Sequence, residues 1–169
     1  MRRSLGRYNA PLFSMLPMAM SKISEILKLA QQRAIDSGLP YDGALTPVEA
    51  HDILKESGAA VLVDVRTQAE LDWVGGVPGA LHIEWQGYPA HAQNPDFIHQ
   101  LREAVPDDAL LLFMCRSGAR SHAAAAAASA AGFGGCYNVL HGFEGDRDAH
   151  GHRNHLNGWR FSGLPWRQN

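Results

Sequence analysis

The sequence predicts an α/β fold: an open parallel sheet of about four to five strands with helices on both faces, plus an N-terminal helix. The first observation is that short apolar runs alternate along the chain with segments of helical periodicity, the order typical of βαβ units. The second is that residues 60–65 and 110–114 are almost wholly apolar, without polar alternation, as in strands covered on both faces.

Capping residues, glycines and prolines mark where the helices begin and end. Thr46-Pro47-Val48-Glu49 and Thr67-Gln68-Ala69-Glu70 are capping boxes, each of which starts a helix. Residues 21–44 are assigned to the N-terminal helix and a linker. In chain order, the predicted elements are a helix from Ser21, a helix from Pro47 to about Ser57, a strand at 60–65, a short helix after Thr67, a strand at 80–83, a helix from Asn94 to before Pro106, a strand at 110–114, an alanine-rich helix from near Arg120 to about Ala131, and a strand at 137–140.

The composition is that of a globular domain with a substantial core. The chain has 169 residues, of which 46% are hydrophobic and 19% charged, which excludes collagen-like, largely disordered and coiled-coil classes. A formal net charge of −2 gives no electrostatic basis for binding nucleic acid. The two cysteines, Cys115 and Cys136, are too few for a disulfide scaffold, so a thiol that matters is expected to act chemically.

Residues 1–20 are predicted to be a disordered leader. They contain three arginines and no acidic residue, and Pro11 and Pro17 interrupt an apolar stretch that is too short to span a bilayer. A cleaved signal peptide is the alternative, because the basic start, the short apolar middle and the small residues Ala19 and Ser21 have its outline. The interrupted stretch and the few cysteines favour a cytoplasmic protein with no membrane contact.

A cysteine opens the loop that follows the strand at residues 110–114. Open parallel sheets bind ligands beyond the carboxyl ends of their strands, which is where Cys115-Arg116-Ser117-Gly118-Ala119-Arg120-Ser121 lies. Backbone N–H groups of such a loop and the positive end of the next helix form an anion cradle that would hold Cys115 as thiolate. Arg116 and Arg120 add positive charge there. The alternative is a small core residue at the end of a strand.

Three ordered segments resemble the single-domain rhodaneses, which are sulfurtransferases. The loop CRSGARS is similar to the active-site loop of that family, residues 64–80 to its first signature, and residues 131–139 to its pattern after the active-site helix. The resemblance covers about residues 45 to 166 and implies a rhodanese-like domain at 45–169. Gly76 is a departure, since the first signature usually has a histidine there.

The resemblance implies a thiosulfate sulfurtransferase that works through a persulfide on its cysteine. The donor would be a small anion such as thiosulfate, and the acceptor a thiol or cyanide. No cofactor or metal is implied; a sulfur-relay protein is a further candidate partner. The implied site residues are Cys115 as the catalytic nucleophile and Arg116, Ser117, Gly118, Ala119 and Arg120 as substrate-binding residues.

Two other functions use a similar loop. Cysteine-dependent phosphatases and arsenate reductases place five residues between cysteine and arginine, whereas four residues separate Cys115 from Arg120. The shorter loop makes a smaller cradle, sized for a sulfur atom better than for a phosphate group. The other alternative is a sulfur-relay or regulatory interaction module with little thiosulfate activity.

A polar segment near the C-terminus contains residue types that bind zinc. His150, His152 and His155 follow Asp146 and Asp148 closely. With no cysteine ligand and no defined helical frame, the expected case is a solvated loop or a loop beside the active site, and a site for zinc or another divalent metal is the alternative.

The remaining chemically notable residues are given structural roles. Arg66 and Glu70, spaced four residues apart, are predicted to form a salt bridge at the end of the strand that contains Asp64. Cys136 is expected to be a buried packing residue. The four tryptophans, Trp73, Trp85, Trp159 and Trp166, are expected in the core or in a pocket wall.

Overall fold

A five-stranded, wholly parallel sheet forms the centre of the molecule. The computed structural model describes residues 17–168. Its elements are α1 (Pro17–Ser37), β1 (Gly43–Leu45), α2 (Pro47–Glu56), β2 (Ala60–Asp64), α3 (Gln68–Val74), β3 (Leu81–His82), α4 (Phe97–Ala104), β4 (Leu110–Met114), α5 (Ala119–Ala130) and β5 (Cys136–Val139). The strand order is β1-β5-β4-β2-β3, and each neighbouring pair is parallel. The predicted fold class is confirmed.

Alternate residues of the central strand β4 face two different core layers. Leu111 and Phe113 pack in one cluster with α4 and α5, whereas Leu112 and Met114 pack in the other with α1 and α2. All four side chains are essentially inaccessible to solvent. Because helices cover both faces of the sheet, its strands need apolar residues at every position, which explains the unbroken apolar runs.

The N-terminal helix starts earlier than the sequence predicts. α1 begins at Pro17 rather than Ser21, because a proline that interrupts an apolar stretch is also well suited to the first turn of a helix. Ile26, Ala30 and Ala34 are buried, and Ile26 and Ala30 pack in the same core cluster as Leu112 and Met114 of β4. The rest of the predicted leader, residues 1–16, lies outside the described residues.

The predicted linker contains a strand. β1 forms the edge of the sheet and pairs with β5, with Gly43 opposite Tyr137 and Leu45 opposite Val139. A Cβ atom on Gly43 would lie 2.7 Å from the Tyr137 ring and 2.9 Å from the backbone of Ala30. Three residues that include a glycine carry too little periodicity to indicate a strand, so the sequence does not predict this one.

A buried ion pair lies at the carboxyl end of β2. Arg66 is completely inaccessible to solvent, and its Nη2 donates to Asp64 Oδ2 at 2.6 Å and to the Gly75 carbonyl at 2.9 Å. Its guanidinium also lies over the Phe143 ring, 4.0 Å from the centroid. The predicted structural salt bridge of Arg66 is therefore present, but its partner is Asp64 instead of Glu70.

Glu70 pairs with an arginine fifty positions further along the chain. Arg120 donates to its two carboxylate oxygens at 2.8 and 2.7 Å, which joins α3 to the first turn of α5. Glu70 also completes the predicted capping box by accepting the Thr67 N–H at 2.9 Å. Burial alone would raise the pKa of Glu70, but the hydrogen bonds from Arg120 and Thr67 outweigh it and lower that pKa to about 2.

Two of the four tryptophans lie in the core. Trp159 and Trp85 are 0% and 7% exposed, as expected. The prediction is wrong for Trp73, which is 70% exposed, because α3 is a surface helix without a buried residue. Trp166 is also partly exposed, and it stacks on the Arg160 guanidinium at 4.1 Å.

Among the helices of residues 17–168, none has both the length and the apolar character needed to cross a membrane.

Replacing Glu70 by glutamine should weaken the acid dependence of folding. The carboxylate has a lower pKa in the folded chain than its ordinary 4.5, so its contribution is complete above pH 4.5 and is lost as the pH falls toward about 2. We expect E70Q to lower the free energy of unfolding by about 1–3 kcal/mol at pH 7, with the deficit shrinking toward pH 2. Urea unfolding at several pH values measures both effects.

The matched control is Glu103→Gln, since the Glu103 side chain is 69% exposed. This variant should change stability by less than about 0.5 kcal/mol at any of these pH values. A deficit for E70Q that stays constant with pH would contradict the role given to the Glu70 carboxylate.

Candidate active site

The loop that begins at Cys115 lies at the carboxyl end of the middle of the sheet. It follows β4, which has β5 on one side and β2 on the other. Parallel pairing continues one residue past β2, where the Val65 N–H donates to the Met114 carbonyl at 2.9 Å. The ends of three strands therefore surround the loop, as expected for the ligand site of an open parallel sheet.

The Cys115 sulfur accepts two hydrogen bonds from the start of α5. The Gly118 N–H donates to Sγ at 3.1 Å, and the Ser121 hydroxyl lies 3.3 Å from it. Cys115 is 1% exposed and Ser121 is fully buried. Gly118, the N-cap residue of α5, has a φ of 107°, which an L-residue with a side chain rarely adopts. The Cys115 sulfur therefore lies beside two hydrogen-bond donors, one from the backbone and one from a side chain.

Ser121 is a site residue that the sequence analysis does not select. It ends the CRSGARS loop motif, but the predicted substrate-binding set stops at Arg120. Ser121 lies on the first turn of α5, three residues after Gly118, and helical side chains point back toward the N-terminus. This spacing is the signal that identifies it.

The segment after β5 orients the backbone of the loop. The N–H groups of Phe143 and Glu144 donate to the carbonyls of Cys115 and Arg116 at 2.8 and 2.9 Å. In a planar trans peptide the N–H points opposite to the carbonyl, so the N–H groups of Arg116 and Ser117 point away from that segment. Within residues 17–168, neither of these two donates to a protein acceptor. Both donors are available to a bound anion.

Gly142 makes this close backbone contact feasible. Its φ is 59°, and a Cβ atom there would overlap the carbonyl oxygen of Cys115. A residue with a side chain at position 142 would therefore push the segment away from the loop. The sequence analysis does not anticipate this contact, because it joins residues from two separate loops.

The first turn of α5 adds further unpaired donors. The N–H groups at a helix N-terminus have no partner within the helix and carry partial positive charge. α5 starts at Ala119, so Ala119 and Arg120 supply such groups directly beside Gly118. The structure thus brings the backbone of the predicted residues Arg116 to Arg120 together around one end of the helix.

The two arginine side chains of the loop have different surroundings. Arg120 is held by Glu70, which raises the pKa of the arginine, and its side chain is 20% exposed. Arg116 is exposed at the surface. Burial lowers the pKa of Arg153, and the like charges of Arg116 and Arg147 lower it further. Glu144 and Asp146 act on Arg153 in the opposite direction. Of the two arginines of the loop, Arg116 is therefore the accessible one.

A cavity of about 410 Å³ opens over the loop. Three parts of the chain line it: α3 and its N-cap, the segment after β3, and the loop itself. The residues are Thr67, Glu70, Gln86, Tyr88, His91, Cys115, Arg116, Ser117, Ala119 and Arg120. The cavity can admit a small anion.

Cys136 lies in a different environment. It is fully buried, and burial together with the nearby Asp42 raises the pKa of its thiol to about 12. Its sulfur lies 3.6 Å from the Phe133 carbonyl, and neither cysteine forms a disulfide. Its predicted packing role is confirmed.

Comparison with known proteins agrees with this architecture. The chain is 43% identical to Rv0390 from M. tuberculosis, whose crystal structure superimposes with a TM-score of 0.70 over 76% of this chain and 99% of that one. It is also 36% identical over 126 residues to RC0915, an uncharacterized protein of Rickettsia conorii, covering 70% of this chain and 91% of the relative.

A more distant neighbour shares the fold alone. A Rhodopseudomonas palustris protein of unknown function, described as a possible tyrosine phosphatase, is 21% identical with a TM-score of 0.51, covering 94% of this chain and all of that one. The Rhodanese-like domain family matches residues 46–149, more than half of the chain. The chain therefore belongs to the rhodanese-like domain family.

Proposed function

We propose that the protein is a sulfurtransferase that carries sulfur as a persulfide on Cys115. Its family is of the sulfurtransferase type. The observation that carries the proposal is the environment of Cys115 Sγ, which accepts hydrogen bonds from Gly118 and Ser121 beneath a cavity with an accessible arginine. An anionic sulfur species needs preorganised donors of this kind.

In the first half-reaction, the Cys115 thiolate attacks the outer sulfur of a donor such as thiosulfate. A bond forms between Sγ and that sulfur, and the bond from that sulfur to the sulfonate sulfur breaks. Sulfite leaves with the electron pair of the broken bond, and a persulfide anion remains on Cys115. The outer sulfur of thiosulfate is already at the oxidation level of the outer sulfur in a persulfide, so the step needs no additional oxidant.

The backbone of the loop would stabilise the persulfide. The N–H groups of Arg116 and Ser117 are unpaired within the described residues and point away from the carbonyl contacts with Phe143 and Glu144. Together with the first N–H groups of α5, they would supply several donors to the outer sulfur. Backbone N–H groups stabilise the negative charge of the persulfide by hydrogen bonding, and they are neither proton acceptors nor nucleophiles that could attack it.

In the second half-reaction, a thiolate or cyanide attacks the outer sulfur. The new bond joins the acceptor to that sulfur, and the Sγ–S bond breaks so that Cys115 returns as thiolate. The product is a persulfide of the acceptor, or thiocyanate when cyanide is the acceptor. Since Tyr88 is 62% exposed beside the cavity, a thiol carried on a larger molecule can approach from that side.

Arg116 is proposed to attract the donor. Arg120 is paired with Glu70, whereas Arg116 is exposed and lines the cavity. A dianion gains more from this positive potential than a monoanion does. The arrangement therefore favours thiosulfate over 3-mercaptopyruvate.

Substitution of Cys115 by serine should abolish sulfur transfer. The expected loss exceeds about 1,000-fold, because the nucleophile that carries the sulfur is removed. Sulfite release and thiocyanate formation measure turnover, and mass spectrometry of the thiosulfate-treated wild type should show one extra sulfur on Cys115. Circular dichroism and thermal unfolding check that the variant is folded.

The matched control is Cys136→Ala, which removes the other thiol and should leave the rate within about twofold, since that thiol is buried and protonated. Transfer that survives in C115S would contradict the proposal. A persulfide formed only from a protein persulfide donor would indicate the sulfur-relay alternative, and hydrolysis of p-nitrophenyl phosphate without sulfite release would indicate a phosphatase.

Substitution of Arg116 by methionine should raise the KM for thiosulfate about fivefold, the equivalent of roughly 1 kcal/mol. The kcat should change less, and the KM for 3-mercaptopyruvate should rise by a smaller factor. High salt should reduce the difference between R116M and wild type, because salt screens the charge of an exposed arginine.

Lys55→Met serves as the charge-matched control, because it removes one positive charge from the exposed end of α2. It should leave both KM values unchanged. Equal effects of K55M and R116M would show that net charge, rather than the position of Arg116, attracts the donor.

A further inference from the structure

We propose that Asp148, His152 and His155 bind a divalent transition-metal ion such as Zn²⁺. The site is separate from Cys115 and belongs to the segment 146–157. The three side chains each offer one ligand atom, and these atoms all lie within 4.8 Å of one another. Two imidazole nitrogens and one carboxylate oxygen form a ligand set that zinc commonly takes in proteins.

The carboxylate is held in position by the backbone. Asp148 Oδ1 accepts the N–H groups of His150 and His152 at 2.9 and 2.8 Å. The other oxygen, Oδ2, faces His155, whose Nδ1 is 2.7 Å away. An ionised carboxylate whose second oxygen is engaged by backbone donors resembles the outer-shell support of metal ligands.

Two turns bring the histidines back over the aspartate. The Asp148 N–H donates to the His152 carbonyl at 2.7 Å, which closes the first turn through Gly151. Asn154 has a φ of 65°, a left-handed conformation that reverses the chain before His155. As a result the rings of His152 and His155 lie edge to face, with their centroids 5.8 Å apart.

The rest of the segment is fastened to the domain. The Asn154 N–H donates to the Glu144 carbonyl at 2.7 Å, and Arg153 Nη1 donates to the Gly145 carbonyl at 2.6 Å. Because the backbone is fixed at these points, only side chains must adjust when an ion binds. The three ligands are therefore preorganised, which lowers the entropic cost of binding.

The adjustment that a metal requires is small. Ligand atoms on one zinc ion lie about 3–4 Å apart, so rotation of the two exposed rings needs to move their ligand nitrogens by roughly 1 Å. The ion would replace the hydrogen bond between His155 and Asp148. In a neutral His155 imidazole, the proton on Nδ1 moves to Nε2. In a charged imidazole, the proton on Nδ1 leaves to solvent.

The ligand types indicate which metals fit. Imidazole nitrogens favour zinc and nickel over magnesium and calcium, which prefer sites made wholly of oxygen. Three protein ligands leave at least one position for water. His150 is not a member of the set, although its ring lies 6.4 Å from that of His152.

Isothermal titration of the full chain with Zn²⁺ tests the site. Any affinity tag is removed, and Cys115→Ser is the background, so that the thiolate does not bind zinc itself. We expect one Zn²⁺ per chain and no detectable Mg²⁺ binding. D148N, which keeps an oxygen for the backbone donors, and H155A should each weaken the affinity at least about tenfold.

The matched controls are His150→Ala within the segment and His99→Ala on α4, whose side chain is 70% exposed. Both should keep the affinity within about twofold. Nuclear magnetic resonance provides a readout without substitution, since Zn²⁺ should shift the imidazole signals of His152 and His155 and leave those of His99 unchanged. Absence of stoichiometric binding, or losses in H150A and H99A equal to that in D148N, would overturn the proposal.

Discussion

The contact on which the site depends is the pair of backbone hydrogen bonds between the Cys115 loop and the segment after β5. The N–H groups of Phe143 and Glu144 donate to the carbonyls of Cys115 and Arg116. Because a trans peptide directs its N–H opposite to its carbonyl, the N–H groups of Arg116 and Ser117 point away from that segment. Without this contact, nothing would fix the orientation of these two peptides, and their N–H groups would not be held toward an anion. Gly142 is needed there because a Cβ would collide with the Cys115 carbonyl.

Two ion pairs, one buried and one partly buried, fix the elements that surround this contact. Arg66 binds Asp64 and the Gly75 carbonyl and lies over Phe143, so it ties the end of β2 to the segment that orients the loop. Glu70 holds Arg120, which fixes the first turn of α5 against α3. One ion pair thus supports the segment after β5, and the other supports the helix end that supplies donors. The proposed zinc ligands extend the same segment, since Asn154 is bonded to Glu144.

Most of the sheet and the position of Cys115 at a strand end could be predicted, because burial on both faces leaves unbroken apolar runs and Cys115 directly follows one of them. β1 could not, since it is three residues long and becomes a strand only by pairing with β5. The partners of Arg66 and Glu70 were also misassigned: local spacing suggested that they pair with each other, whereas Arg120 is brought to Glu70 from fifty residues away by the fold. Ser121 reaches Cys115 because helical side chains point back toward the N-terminus, and Gly142 is needed because two backbone segments lie close together. Residue type alone reveals neither contact.

The central claim is that backbone donors of the Cys115 loop hold a persulfide. The most direct test is a crystal structure of the full chain after treatment with thiosulfate. The account predicts an additional sulfur bonded to Cys115 Sγ, with its outer atom within roughly 3.5 Å of several N–H groups from Arg116 to Arg120. An unmodified Cys115, or an outer sulfur that lies in solvent away from these groups, would contradict it.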